Sequence, residues 1–155
     1  MEKIKLYFAQ FKCVTEPLTF YKFGITGRSD ALKRFEGEEN VEKYFKVKIL
    51  ASAIGIDWEP WIKEQGFLKK YKKNFWLNER MRFKGVTEVV KLPYNDVGDI
   101  LKEFYIIKKA WNEKLLKAGN IDWGRADKYN NESYQEYLKN SSASKSSCYE
   151  YLAKN

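Results

Sequence analysis

The sequence predicts an α+β fold: a small, mainly antiparallel three-stranded sheet in the order β-β-α-β-α, flanked by helices, with a C-terminal helical extension. Three observations predict it. Two aromatic-rich extended stretches near the start are separated by a proline turn, an alternating lysine/apolar stretch follows at 44–51, and 96–117 carries a clear 3.6-residue apolar stripe.

Lys3 to Lys12, with Tyr7, Phe8 and Phe11, reads as the first strand. Glu16-Pro17-Leu18-Thr19 is a turn signal, and Phe20 to Thr26 resumes strand character, so the pair forms an antiparallel hairpin with a longer loop. Gly27 breaks the chain. Ser29 and Asp30 open a short helix carrying Leu32 and Phe35, which Gly37 closes. Tyr44 to Ala51 alternates Phe45, Val47 and Ile49 with lysines, a half-buried third strand. Glu59-Pro60 starts the next helix, because proline suits the first helical position. Its expected stripe is Trp61, Ile62, Phe67, Leu68 and Tyr71, weakened by Gly66. Val86 to Leu92 reads as a further strand. Asp96 to Lys117 is the clearest helix, with Val97, Ile100, Leu101, Phe104, Ile107, Trp111 and Leu115 on one face. Residues 1–118 are expected to form the domain. Residues 119–155 are expected to be a polar, aromatic-rich tail, partly helical (127–139) or flexible.

Composition excludes several function classes. The chain has 155 residues, 44% hydrophobic and 32% charged, which suits one globular domain plus an appendage. No apolar run approaches the roughly 20 residues of a membrane span, and the start lacks a signal-peptide core, so a cytoplasmic protein is expected. Cys13 and Cys148 match no zinc or redox spacing. Histidine is absent, which removes Ser-His-Asp triads, Cys-His dyads and histidine-ligated zinc. Catalysis must then come from Tyr, Lys, Arg, Asp, Glu or a bound metal.

The net charge is +8, and aromatic residues reach 17%. Two readings stand: a nucleic-acid partner, whose phosphates meet cations and whose bases stack on rings, or a basic protein with an aromatic core. The distribution of charge favours the first. Residues 1–118 hold the whole surplus, whereas 119–155 carry five basic and five acidic residues. Lys63 to Lys84 holds eight basic residues against Glu64 and Glu79. Arg28, Lys69, Lys70, Lys72, Lys73, Arg80 and Arg82 are the expected phosphate contacts.

Some polar residues break local rules. Glu64 lies at the edge of an apolar helix stripe, where a carboxylate needs a paired cation or a metal. Lys22 lies inside the second strand on the face of Gly24, and Arg34 lies between Leu32 and Phe35 on the helix that follows. A phosphate site above the sheet is one reading of these residues. A solvent-facing lysine and an arginine stem covering the core is the other.

Taken in order, these positions resemble the GIY-YIG nuclease superfamily over roughly residues 4 to 92. Lys5-Leu6-Tyr7 is similar to the first motif, with Tyr7 in the place of its tyrosine and Lys5 in that of its glycine. Lys22-Phe23-Gly24-Ile25-Thr26 resembles the second, with Lys22 at the second tyrosine's position, as in a phage-rich branch. Leu32-Lys33-Arg34-Phe35 looks like the arginine helix, and Glu64 to Tyr71 like the glutamate helix. Phe83 to Val89 is similar to a Gly-x-Thr-Glu segment of that branch. Asn74, Asn78 and Asn95 are the candidates for the family's late asparagine.

The resemblance implies a metal-dependent endonuclease acting on DNA, expected to be double-stranded, in the cytoplasm (the host's if phage-encoded). Tyr7 would be the base, Lys22 and Arg34 the phosphate-binding cations, and Glu64 the ligand of one Mg²⁺ or Mn²⁺. Tyr21 would supply a supporting hydroxyl or else pack in the core, and Gly24 would support the site by letting a ligand approach the backbone. This reading requires Tyr7, Lys22, Arg34 and Glu64 to converge. Two alternatives need less: a non-catalytic nucleic-acid-binding protein with the same fold, or a phage protein that binds a host protein.

Overall fold

The computed structural model describes residues 3–28, 30–75 and 89–117. Strands β1 (Lys3–Cys13), β2 (Thr19–Thr26), β3 (Phe45–Ile56) and β4 (Val89–Val90) form one antiparallel sheet in the order β3-β1-β2-β4. Among the described residues, helices α1 (Glu39–Tyr44), α2 (Glu59–Lys70) and α3 (Tyr94–Lys117) accompany the sheet, with a 3-10 helix at Ala31–Phe35 and another at Lys72–Asn74. The α+β class, the hairpin and the long last helix are as the sequence predicts. The expected helix at 127–139 lies outside the described residues.

β1 is central. It pairs with β2 from Lys5↔Thr26 to Lys12↔Thr19, and with β3 from Lys3↔Ile56 to Cys13↔Phe45. The register shifts between Phe8 and Ala9, where a bulge in β3 turns both Leu50 and Ala51 to one face. Leu6, Tyr7, Phe8 and Ala9 are all buried, because helices cover both faces of the sheet. That is why β1 alternates only in part. Leu6 and Phe8, with Phe23, Ala51 and Ala53, face α2 and α3. Tyr7, Ala9 and Phe11, with Phe20 and Ile49, face the first 3-10 helix and α1. The molecule is thus three layers deep.

Three local outcomes differ from expectation. The segment after Gly27 is a 3-10 helix capped by Asp30, whose side chain accepts from the Leu32 amide at 3.0 Å, and a separate α1 follows Gly37 (φ 81). Five residues are too few to propagate an α-helix before the glycine. The described part of the last strand, Val89–Val90, pairs with Lys22 and Tyr21 and makes a fourth member of the sheet, while Lys91 and Leu92 leave it. The buried face of α2 is Pro60, Glu64, Phe67, Leu68 and Tyr71, so Trp61 and Ile62 are not core residues. Phe67, 4.7 Å from Phe23 between ring centres, sets that rotation and turns Ile62 to solvent.

α2 and α3 meet β3 closely at Gly55. A methyl group there would stand 2.6 Å from Pro60 Cγ and 3.1 Å from Trp111 Cε3. Gly55→Ala is therefore expected to lower stability by about 1–3 kcal/mol, measured by urea denaturation. Lys63–Glu103 (2.8 Å) and Lys114–Glu59 (2.6 Å) also join the two helices, but such exposed pairs contribute at most about 1 kcal/mol each.

Candidate functional site

The register assembles a polar patch on the Tyr7 face. Lys5 stands opposite Thr26, Tyr7 opposite Gly24, and Ala9 opposite Lys22. Directly opposed residues point to the same side, so Lys5, Tyr7, Lys22 and Thr26 surround the bare backbone of Gly24. The Tyr7 ring lies over that glycine: a methyl group there would overlap its Cζ and hydroxyl. Tyr7 therefore carries its hydroxyl across onto β2, between the positions of Lys22 and Thr26. Ser52, opposite Tyr7 on β3, is buried on the same face.

Two lysines in this patch are nearly inaccessible. Lys5 is 2% exposed and Lys22 4%, beside Tyr7 at 1%. The Lys22 Nζ donates to the Phe23 carbonyl at 3.3 Å. Phe35 from the first 3-10 helix closes over the patch, its ring edge-on to Tyr7 at 5.8 Å. Arg34 adjoins Phe35 in the same layer; its guanidinium pairs with Glu38 at 3.3 Å and lies 5.7 Å from the Phe35 ring centre. Tyr7, Lys22, Gly24 and Arg34 thus share one layer. Lys5, noticed in the sequence only as a missing glycine, joins them, and its signal was its place two residues before Tyr7.

Glu64 belongs to the other layer. It is 8% exposed on the inner side of α2, and its Oε1 accepts from Gln65 Nε2 at 3.3 Å. Its helical neighbours Phe67 and Leu68 pack with Leu6, Phe8 and Phe23, on the face opposite Tyr7. Among the described residues β4 pairs with Tyr21 and Lys22. Also among the described residues, no group of three acidic, histidine or cysteine side chains is positioned to hold a metal.

Of the two readings of Tyr21, the structure shows the core one. The residue packs in the α2/α3 layer, its ring stacked 5.4 Å from Phe8, since odd positions of β2 alternate away from Lys22 and Gly24. Asn74 donates to the Lys91 carbonyl at 3.0 Å and ties the end of the second 3-10 helix to the chain entering α3. Asn95 is exposed at the start of α3, and Asn78 lies outside the described residues. Lys69, Lys70, Lys72 and Lys73 are exposed around the end of α2. Arg28 is exposed and donates to the Lys33 carbonyl at 2.7 Å, while Arg80 and Arg82 lie outside the described residues. A shallow cleft of about 200 Å³ between the first 3-10 helix and β3 is lined by Phe35, Val41 and Phe45 with Glu36 and Glu42 at its lip. Two carboxylates make that cleft unsuited to a phosphate.

Tyr71, behind Phe23 in the α2/α3 layer, has its hydroxyl pushed up to about 12 by burial, and further by the carboxylates of Asp96, Glu103 and Asp99. Below pH 10 both folded and unfolded chains hold this proton. Between pH 10 and 12 the unfolded chain releases it and the folded chain keeps it, so stability falls. Tyr71→Phe should flatten that alkaline decline, as read by denaturant midpoints at stepped pH.

Among descriptions of known proteins, no family model matches the chain, and no curated protein or solved structure matches it either.

Proposed function

We propose that this chain is a divalent-metal-dependent endonuclease that hydrolyses DNA phosphodiester bonds, with its chemistry at Tyr7. The observation that carries the reading is the buried tyrosine laid over Gly24 between two buried lysines. Cations held this close to a phenol favour its ionised form, and the same cations suit the oxygens of a phosphate. Free tyrosine has a pKa near 10, so taking a proton from water near neutral pH requires neighbouring positive charge.

In this mechanism Tyr7 Oη holds the attacking water and accepts its proton. Lys22 sits beside the scissile phosphate, and Arg34, released from Glu38, grips a non-bridging oxygen pair. On this reading Glu64, on α2, would be the protein's ligand for a magnesium ion, held by one carboxylate oxygen. The bound ion would supply charge stabilisation to the phosphoryl oxygens. Lys69, Lys70, Lys72 and Lys73 contribute backbone affinity without sequence information.

The test is nicking of supercoiled plasmid with Mg²⁺ or Mn²⁺. Wild type should nick, Tyr7→Phe should lose roughly 10²–10⁴-fold in rate, and Glu64→Ala should lose metal-dependent cleavage. Binding without nicking by wild type would refute the enzyme reading. It would favour a non-catalytic nucleic-acid-binding protein, which the separation of Glu64 and Tyr7 into different layers supports.

A further inference from the structure

α2 shows an outer face whose composition has no role in the core. Trp58, Ile62, Gln65 and Lys69 follow the i, i+4, i+7, i+11 spacing of one helical stripe. Trp58 caps the helix in an α-helical conformation (φ −89, ψ −6), so it belongs to the same face. It is 74% exposed, Ile62 61%, and Trp61 on the flank of the stripe 49%. Lys72, Lys73 and the half-exposed Phe75 continue the surface past the end of the helix. From Trp58 to Lys69 the stripe runs about 16 Å.

Three exposed large apolar side chains on one short helix are a liability in water, and indole rings are the largest of them. They mark an interaction surface. Its charge identifies the partner. Gln65, Lys69, Lys72 and Lys73 supply the stripe with donors and cations, and its own positions carry no carboxylate. Of the acids that adjoin Trp58, Asp57 and Glu59, the second is held by Lys114 at 2.6 Å, and Lys63 on the flank is held by Glu103 at 2.8 Å. Rings at one end and cations at the other suit a strand of nucleic acid. Its bases stack on the indoles while its phosphates run along the lysines. A duplex uses only half of this surface, because its bases are already stacked and hide their faces.

We infer that the outer face of α2 is a platform for unpaired bases, with Trp58 and Trp61 as the stacking residues, so that the preferred substrate carries a single-stranded segment. The inference rests on the nucleic-acid part of the proposed function, and it does not depend on Tyr7 or Glu64.

The experiment measures binding of an oligothymidylate and of a blunt duplex by the full chain, without metal, following tryptophan fluorescence. Wild type should be quenched by the oligothymidylate and bind it more tightly than the duplex. Trp58→Ala should weaken oligothymidylate binding roughly 10-fold or more, Trp58→Phe should restore most of it, and duplex binding should change little. Lys69→Gln should lower the salt slope of oligothymidylate binding by about 0.7, the release of one phosphate's counterions. Both tryptophans are exposed, so circular dichroism should show all these variants folded. Equal losses on duplex and oligothymidylate, or oligothymidylate binding unchanged in a Trp58→Ala/Trp61→Ala double variant, would overturn the inference. So would failure to bind the oligothymidylate combined with a dimer in sedimentation that Trp58→Ala disperses, since the face would then join two copies of the chain. Failure of the nuclease reading alone looks different: no nicking by wild type, with tryptophan-dependent binding intact.

Discussion

Phe23→Ala is expected to remove about 3–5 kcal/mol of stability, enough to unfold much of the chain at moderate temperature. Phe23 is fully buried in the middle of β2. Its ring stacks at 5.0 Å on Phe8 from β1, at 4.7 Å on Phe67 from α2 and at 5.8 Å on Tyr71. Phe67 in turn lies 5.3 Å from Phe104 of α3, so one ring column joins the sheet to both helices of that layer. Removing Phe23 opens a void that the sheet cannot close, because β2 is held in register by β1 along its whole length. Urea denaturation should show a lower midpoint at an unchanged m-value. A loss below about 1 kcal/mol would mean that the column is not the anchor of the α2/α3 layer.

Gly24→Ala, one residue along, should act on the other face. The added methyl group collides with the Tyr7 Cζ and hydroxyl and stands 2.8 Å from Cε1. Tyr7 is fully enclosed and braced by Phe35, so its ring has no nearby space to take. Overpacking of this kind costs about 1–3 kcal/mol. It also displaces the hydroxyl, so on the proposed function plasmid nicking should fall with Gly24→Ala as far as with Tyr7→Phe. A double-mutant cycle with Tyr7→Leu separates the causes. The smaller side chain relieves the collision, so the stability losses should fall short of additive by about 0.5–3 kcal/mol, while activity stays lost. Additive losses would show that the ring does not rest on Gly24.

The two variants differ by one position and point into different layers, which shows where sequence reading succeeds and where it stops. The strand period places Lys22 with Gly24 and Phe23 against them, and that was legible because a pleat reverses side chains at every residue. The long stripe of α3 was legible for the same kind of reason: Val97, Ile100, Leu101, Phe104, Ile107, Trp111 and Leu115 are all buried as their spacing requires. α2 was misread because Trp61 and Ile62 are as apolar as Phe67 and Leu68, and hydrophobicity alone does not choose among overlapping stripes. The ring column through Phe23 chose, and it turned Glu64 inward and Ile62 outward.

Read alone, then, the residues determined the main strands, the hairpin, the two longer helices, the alternation in β2 and the concentration of positive charge. These depend on contacts a few residues apart, which periodicity encodes. The tertiary structure decided the rest. Pairing of β1 with β2 laid Tyr7 over Gly24 and brought Lys5 beside it as a second buried cation, a neighbour on the face that strand period alone leaves unmatched. Packing of helices on both faces assigned Arg34 to the layer of Tyr7 and Glu64 to the other. Such choices rest on contacts between residues far apart in the chain, where many registers and rotations satisfy the local pattern and only one of them fills the core.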